Sequence, residues 1–266
     1  MKNILTKIII TLLLTTPIFA QKQSYAPYIS INKWITESRY DLDALAGQPY
    51  LVEFWATWCS PCIANMPRME DIYEEYSPKG LRMIGLSVDR DISSLEKFVE
   101  KHEISYPIAA DSDTQNRYGV RGIPAAFLVD AAGYVVWSGH PGDRSLDRAL
   151  KSVFKYSPPP ILEDIDLSQF KDINADFGTG HRFSQVYASL KKHASSTGEL
   201  NDKAKDVINE INIRLKKRIA FADKLLERKK VKAAVDVYTS TLKNYPGVQI
   251  TEELDEKIKQ IENDLT

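Results

Sequence analysis

Cys59 and Cys62 are the only cysteines in the 266-residue sequence, and they stand in the run Trp58-Cys59-Ser60-Pro61-Cys62. Two thiols three positions apart can staple a loop, supply half of a zinc site, or exchange disulfides. A staple this short removes little entropy from the unfolded chain. Zinc needs four protein ligands, or three and a water. No further cysteine exists, and His102, His140, His181 and His193 show no ligand spacing among themselves. No metal and no cofactor are therefore expected. Disulfide exchange needs only the thiols, with thiolate as the attacking species.

The flanking elements must position such a pair. Tyr50 to Trp55 reads as a buried strand, rich in aromatic and branched residues. The spacing of Ile63, Met66, Met69, Ile72, Tyr73 and Tyr76 predicts a helix with one apolar face, with Pro67 kinking it. Cys59 thus follows a strand and opens a helix. Its sulfur would lie beside unsatisfied backbone N–H groups and the positive end of the helix dipole, which favours thiolate. Cys62 lies one turn on. Pro61 suits the first turn, where its missing donor is tolerated.

Further strands are expected at Arg82 to Val88, Tyr106 to Ala109, Pro124 to Val129 and Tyr134 to Ser138, the last two joined by Ala131-Ala132-Gly133. Helices are expected from Ser93 (with Ser93 and Glu96 as a capping box), at Gln115 to Tyr118 and at Asp143 to Phe154. Alternating strands and helices indicate an α/β fold with a mixed sheet. Pro158-Pro159-Pro160 marks a boundary. Residues 158–182 read as a Pro-rich, acidic linker. Beyond it, Ser184 to His193, Leu200 to Lys229, Lys232 to Asn244 and Glu252 to Leu265 read as helices, giving a smaller all-α domain over residues 183–266. Residues 1–20, with Lys2, an apolar run over Ile8 to Leu14 and Ala20, read as a signal peptide cleaved after Ala20; the alternatives are an uncleaved anchor or a buried N-terminal helix. Residues 21–157 hold the α/β domain and its lead-in.

The segment Val52-Glu53-Phe54-Trp55-Ala56-Thr57-Trp58-Cys59-Ser60-Pro61-Cys62 resembles the active-site segment of the thioredoxin superfamily, and Val120 to Asp130 resembles that superfamily's cis-proline segment. The helix-bearing stretch between the second and third expected strands, together with the exported start, is similar to the TlpA/ResA-like branch. The resemblance covers about residues 40 to 155 and implies a thioredoxin-like mixed sheet. It implies a cis Ile123–Pro124 bond facing the cysteines, whose neighbouring backbone pairs with substrate. The alternative is a trans proline opening a strand. Glu53 matches a buried carboxylate. A lone Glu in an apolar strand is costly to ionise and would accept a proton from Cys62; the alternative is a strand-end residue facing solvent. Trp58 would shape the substrate surface, or be a core aromatic, with Ser60 and Pro61 supporting the site. Asn65 departs from the branch, which commonly carries an acid there, so the acid–base role falls to Glu53.

The expected function is an extracytoplasmic thiol–disulfide oxidoreductase that reduces protein disulfides, in the periplasm or outside the cell envelope. Its partners would be a disulfide-containing protein substrate and a membrane-bound thiol electron donor, in a role such as cytochrome c maturation. One rival is a disulfide-donating oxidase, since reduction potential sets direction. Another is a non-enzymatic adaptor in which the helical domain holds a protein partner. A peroxidase lacks its Cys–Thr–Arg constellation here. The clusters Arg214-Lys216-Lys217-Arg218 and Arg228-Lys229-Lys230-Lys232 read as a solvated helix face, or as a dock for an acidic partner. Ala222, Leu225, Ala234, Tyr238 and Pro246 resemble one tetratricopeptide unit. A net charge of -1 gives no reason to expect nucleic acid.

Overall fold

The computed structural model describes residues 24–264 apart from 38–39, 43–44, 163 and 174–179. The expected signal peptide, residues 1–20, lies outside the described residues. Among the described residues no helix is long and apolar enough to cross a membrane.

Six strands form one sheet: β1 (Ile31–Trp34), β2 (Tyr50–Trp55), β3 (Arg82–Ser87), β4 (Ile108–Asp111), β5 (Ala125–Val129) and β6 (Val135–Gly139), in the order β1-β4-β3-β2-β5-β6. β2, β3 and β4 run parallel, while β1, β5 and β6 pair antiparallel to their neighbours. Helices α1 (Ser60–Tyr76), α2 (Ile92–His102), α3 (Thr114–Arg117) and α4 (Ser145–Tyr156) complete the α/β part. This is the thioredoxin-like arrangement. β2 is central and buried throughout. Its odd residues Leu51 and Trp55 enter one core with Cys62, Met69 and Leu95, and its even residues Val52 and Phe54 enter the core on the other face. The alternation of a strand thus puts Glu53 on the face of the cysteines.

Several expectations need correction. β1 was not foreseen in the lead-in. Its run Ile31-Asn32-Lys33-Trp34 carries no buried residue and is defined by pairing with β4. The expected capping box at Ser93 is replaced by Asp91, whose side chain accepts from the backbone N–H of Ser93 and Ser94. β4 starts at Ile108, after Pro107, rather than at Tyr106.

The remaining helices are α5 (Gly180–Ala194), α6 (Leu200–Glu227), α7 (Val231–Asn244), α8 (Gln249–Glu252) and α9 (Leu254–Asn263). Leu200 to Glu227 is one continuous helix. The segment read as an acidic spacer contributes Ile161, Leu162, Leu167, Phe170 and Ile173 to the same core as Leu190, Ile211 and Leu215. Its apolar residues fill a helical core, and its charges stay outside.

The helices also pack on the sheet part. Ala132 is buried with Ala222, Leu225, Ala234 and Tyr238. The first basic cluster is split by this packing. Lys216 and Lys217 are exposed, but Arg218 is 1% exposed. Arg218 donates to the carbonyls of Gly47 (2.9 Å) and Ala46 (2.5 Å) and to the hydroxyls of Thr241 (3.0 Å) and Ser240 (3.2 Å). Gly47, at φ +87°, leaves the space its guanidinium fills. Arg214 is held by Asp164, by Glu210 at 2.7 Å and by the carbonyl of Pro160 at 3.0 Å. Neither arginine belongs to a solvated face.

Candidate active site

Cys59 is the N-cap of α1 and is joined to Cys62 by a disulfide, with the two Cα atoms 5.2 Å apart. Its sulfur also accepts from the N–H of Cys62 at 3.3 Å. That contact is the helix-start environment expected from sequence: a backbone donor aimed at the sulfur. Pro61 lies in the first turn, next to Ser60. Both cysteines are largely enclosed, but unequally, since Cys59 is 5% exposed and Cys62 0%. Trp58 beside them is 67% exposed, which overturns the core reading and leaves it on the surface flanking the pair.

The loop before the cysteines is tied to the end of β3. Asp89 accepts from the N–H of Thr57 (2.8 Å), from the Thr57 hydroxyl (2.7 Å) and from Ser87 (2.6 Å). Arg68 holds the other side of α1, donating to the carbonyl of Pro141 at 2.9 Å and pairing with Asp147 at 2.9 Å. The helix runs through Pro67. These anchors were missed by sequence reading, because Asp89 and Arg68 become partners of the site only after the chain has folded back.

The Ile123–Pro124 peptide is cis. The register of β5 against β2 sets Ala125 beside Phe54, so Pro124 falls level with Trp55, at the end of β2 from which the cysteine loop leaves. Strand pairing therefore brings two motifs some sixty residues apart to one end of the sheet.

Glu53 is 1% exposed, so it does not face solvent. Burial pushes its carboxyl up to about 8, and a hydrogen bond from Tyr106 opposes that rise. The Tyr106 hydroxyl donates to Oε2 at 3.3 Å, and burial raises that phenol well above its ordinary value. Tyr106 is fully buried and reaches Glu53 because Gly85, paired with Glu53 across the strands, has no side chain. A Cβ at Gly85 would lie 2.9 Å from the Tyr106 ring and 3.1 Å from Trp55 Nε1. Tyr106 and Gly85 were not singled out from sequence. A glycine inside an apolar strand is the signal that could have found them. Asn65 is buried in α1, and its Nδ2 has no hydrogen-bond partner. Among the described residues no group of three or more His, Cys, Asp or Glu is placed to hold a metal ion.

A helix-capping Cys-x-x-Cys after a central parallel strand, with a cis-proline at the end of the neighbouring antiparallel strand, defines a thioredoxin-fold protein. The AhpC/TSA family matches residues 24–138. The thiol-disulfide oxidoreductase ResA of Bacillus thuringiensis subsp. konkukian is 31% identical over 119 residues, covering 43% of this chain and 69% of that protein. A ResA of Bacillus cereus is 35% identical over 100 residues, covering 37% of this chain and 58% of that protein. The solved thiol:disulfide interchange protein of the thioredoxin family from Chlorobium tepidum TLS is 25% identical, covers 50% of this chain and 97% of its own, and gives a TM-score of 0.44. The chain belongs to the ResA-like thiol–disulfide oxidoreductases, which are thioredoxin-fold proteins. The match to the Bacillus cereus relative spans under two thirds of that protein. The family match ends at residue 138, before α4 and the C-terminal helices.

Proposed function

We propose that the protein is an exported reductase of protein disulfides, working through Cys59 and Cys62. The observation that carries this is the asymmetric placing of the two sulfurs, with Cys59 at the helix cap and the more exposed, and Cys62 fully buried behind it. The Cys59 thiolate attacks a substrate disulfide, and one substrate sulfur leaves as thiolate. Cys62 then gives its proton to Glu53 in its ionised form, the minor form until pH reaches about 8, and attacks the Cys59 sulfur. The second substrate sulfur leaves, so the substrate has gained two electrons and the enzyme holds the Cys59–Cys62 disulfide. A membrane-bound thiol donor returns the pair to the dithiol.

Trp58 and the backbone beside the cis Ile123–Pro124 bond form the surface for the extended substrate. Ser60 and Pro61 set the helix start. The N-terminal 20 residues act as a cleaved export signal, and residues 183–266 form a helical domain offering a partner surface. The role fits maintenance of exported thiols, including those of apocytochrome c.

The test is a pair of variants. Cys59→Ser abolishes insulin reduction. Cys62→Ser stalls at the mixed disulfide, which is then isolated and its partner identified. Full activity in Cys59→Ser overturns the assignment. A redox titration against glutathione fixes direction: a potential near those of strong disulfide donors would make the protein an oxidase instead.

A further inference from the structure

A cavity of about 540 Å³ lies where α6 crosses the β6–α4 edge of the thioredoxin-like part. None of the residues around the disulfide lines it. Its size is that of a small-molecule site, and junctions between packed units are where such sites concentrate.

The walls divide by chemistry. Ala131, Ala132 and Val153 from the sheet part, with Leu225 from α6, form a buried apolar floor. Phe221, Lys224 and Leu225 recur at helical spacing on one face of α6, and Arg228, the residue that caps the helix, continues that spacing. That face presents two apolar side chains flanked by two cations. Among the described residues neither Lys224 nor Arg228 has a carboxylate partner, whereas Arg214 and Arg218 on the same helix are fully engaged. Lys230 adds a third cation to the lining.

One carboxylate, Asp130, opposes them. Its Oδ1 is already occupied, accepting from the N–H groups of Ala132 (3.0 Å) and Tyr134 (2.9 Å). Lys230 offsets its charge, with its ammonium 4.2 Å from the centre of the Tyr134 ring. Lys224 and Arg228 are exposed and, among the described residues, have no carboxylate to offset their charge. Tyr156 also lines the cavity and, at 71%, is the most exposed large hydrophobic side chain among those described.

We propose that this cavity binds a small amphiphilic carboxylate, with its acid group between Lys224 and Arg228 and its apolar body on the floor formed by Ala131, Ala132 and Leu225. Charge-assisted hydrogen bonds to a guanidinium and an ammonium recognise the anion, and burial of the apolar body supplies the rest of the affinity. The ligand would bridge the thioredoxin-like part and α6, and so stabilise their packing by mass action.

Octanoate, octylammonium and octyl glucoside are three probes with one apolar chain and different heads. Calorimetric titration of the full chain, below the micelle threshold of each probe, separates charge recognition from simple filling. Octanoate is expected to bind saturably, one per chain, and to raise Tm. Octylammonium and octyl glucoside should bind about tenfold more weakly or not at all. Lys224→Glu with Arg228→Glu should lose octanoate binding while keeping insulin reduction, which reports intact folding. If that pair fails to fold, Lys224→Gln with Arg228→Gln must weaken octanoate by about tenfold. Equal binding of all three probes, unchanged octanoate affinity in the variants, or no saturable octanoate binding would each overturn the proposal.

Discussion

The hydroxyl of Tyr106 donates to Oε2 of Glu53 at 3.3 Å, inside a core from which both side chains are shut off from solvent. The carboxyl is raised to about 8 by burial, and this hydrogen bond keeps it from rising further. Replacing Tyr106 by Phe removes the donor and keeps the ring. The carboxyl should then rise above about 8. The pH dependence of mixed-disulfide resolution should move to higher pH, with little change in the small-thiol reaction at Cys59. An unmoved profile would separate Tyr106 from proton transfer.

Glu53 also sets a pH dependence of stability. Its folded value, about 8, lies above the unfolded 4.5, so between those values the folded state binds the extra proton. Stability from this group is therefore present below pH 4.5 and is lost as pH rises through about 8. The total is on the order of 5 kcal/mol. Urea unfolding of the disulfide form should show Glu53→Gln gaining on the wild type across that window. Parallel curves would show that the carboxyl is not held in its neutral form.

Gly85→Ala probes the same contact from the other strand. The added Cβ would lie 2.5 Å from Ile108 Cδ1 and 2.9 Å from Tyr106 Cε2, and both neighbours are themselves fully buried. A loss of roughly 1–3 kcal/mol in stability is expected, as for overpacked cores. Because Tyr106 must shift, the pH profile of resolution should move in the direction of the Tyr106→Phe variant.

Trp58 is 67% exposed, so Trp58→Ala should change stability by no more than about 0.5 kcal/mol. Its effect should fall on recognition. KM for a protein disulfide should rise severalfold while reaction with a small disulfide is retained. An unfolding midpoint lowered well beyond that margin would return Trp58 to the core.

Arg218 joins the C-terminal helices to the turn before β2 through the carbonyls of Ala46 and Gly47. Arg218→Met removes those donors and leaves buried acceptors, a loss of about 3 kcal/mol or more. Hydrogen exchange should rise around residues 45–48 and along α7. Lysine, with a point charge in place of a planar fork, should not restore protection.

Sequence alone determined the local features: the strand over Tyr50–Trp55, the helix that Cys59 caps, the mixed α/β order and the helical character after residue 183. These follow from short-range periodicity and from residue types whose backbone preferences act within a few positions. It also isolated Cys59 and Cys62, because elimination of further ligands needs only counting. Tertiary structure decided everything that depends on which residues meet. The edge strand β1 exists only against β4, and Asp91 displaced the expected cap by two residues. Glu53 became a buried acid through the pairing of β2 on both sides. Tyr106 became its partner through the gap at Gly85. The acidic segment after the three prolines became core, and Arg218 in a run of basic residues became an interior clamp. Charge and polarity in a sequence give the cost of burial but not the partners that offset it, and those partners lie far along the chain.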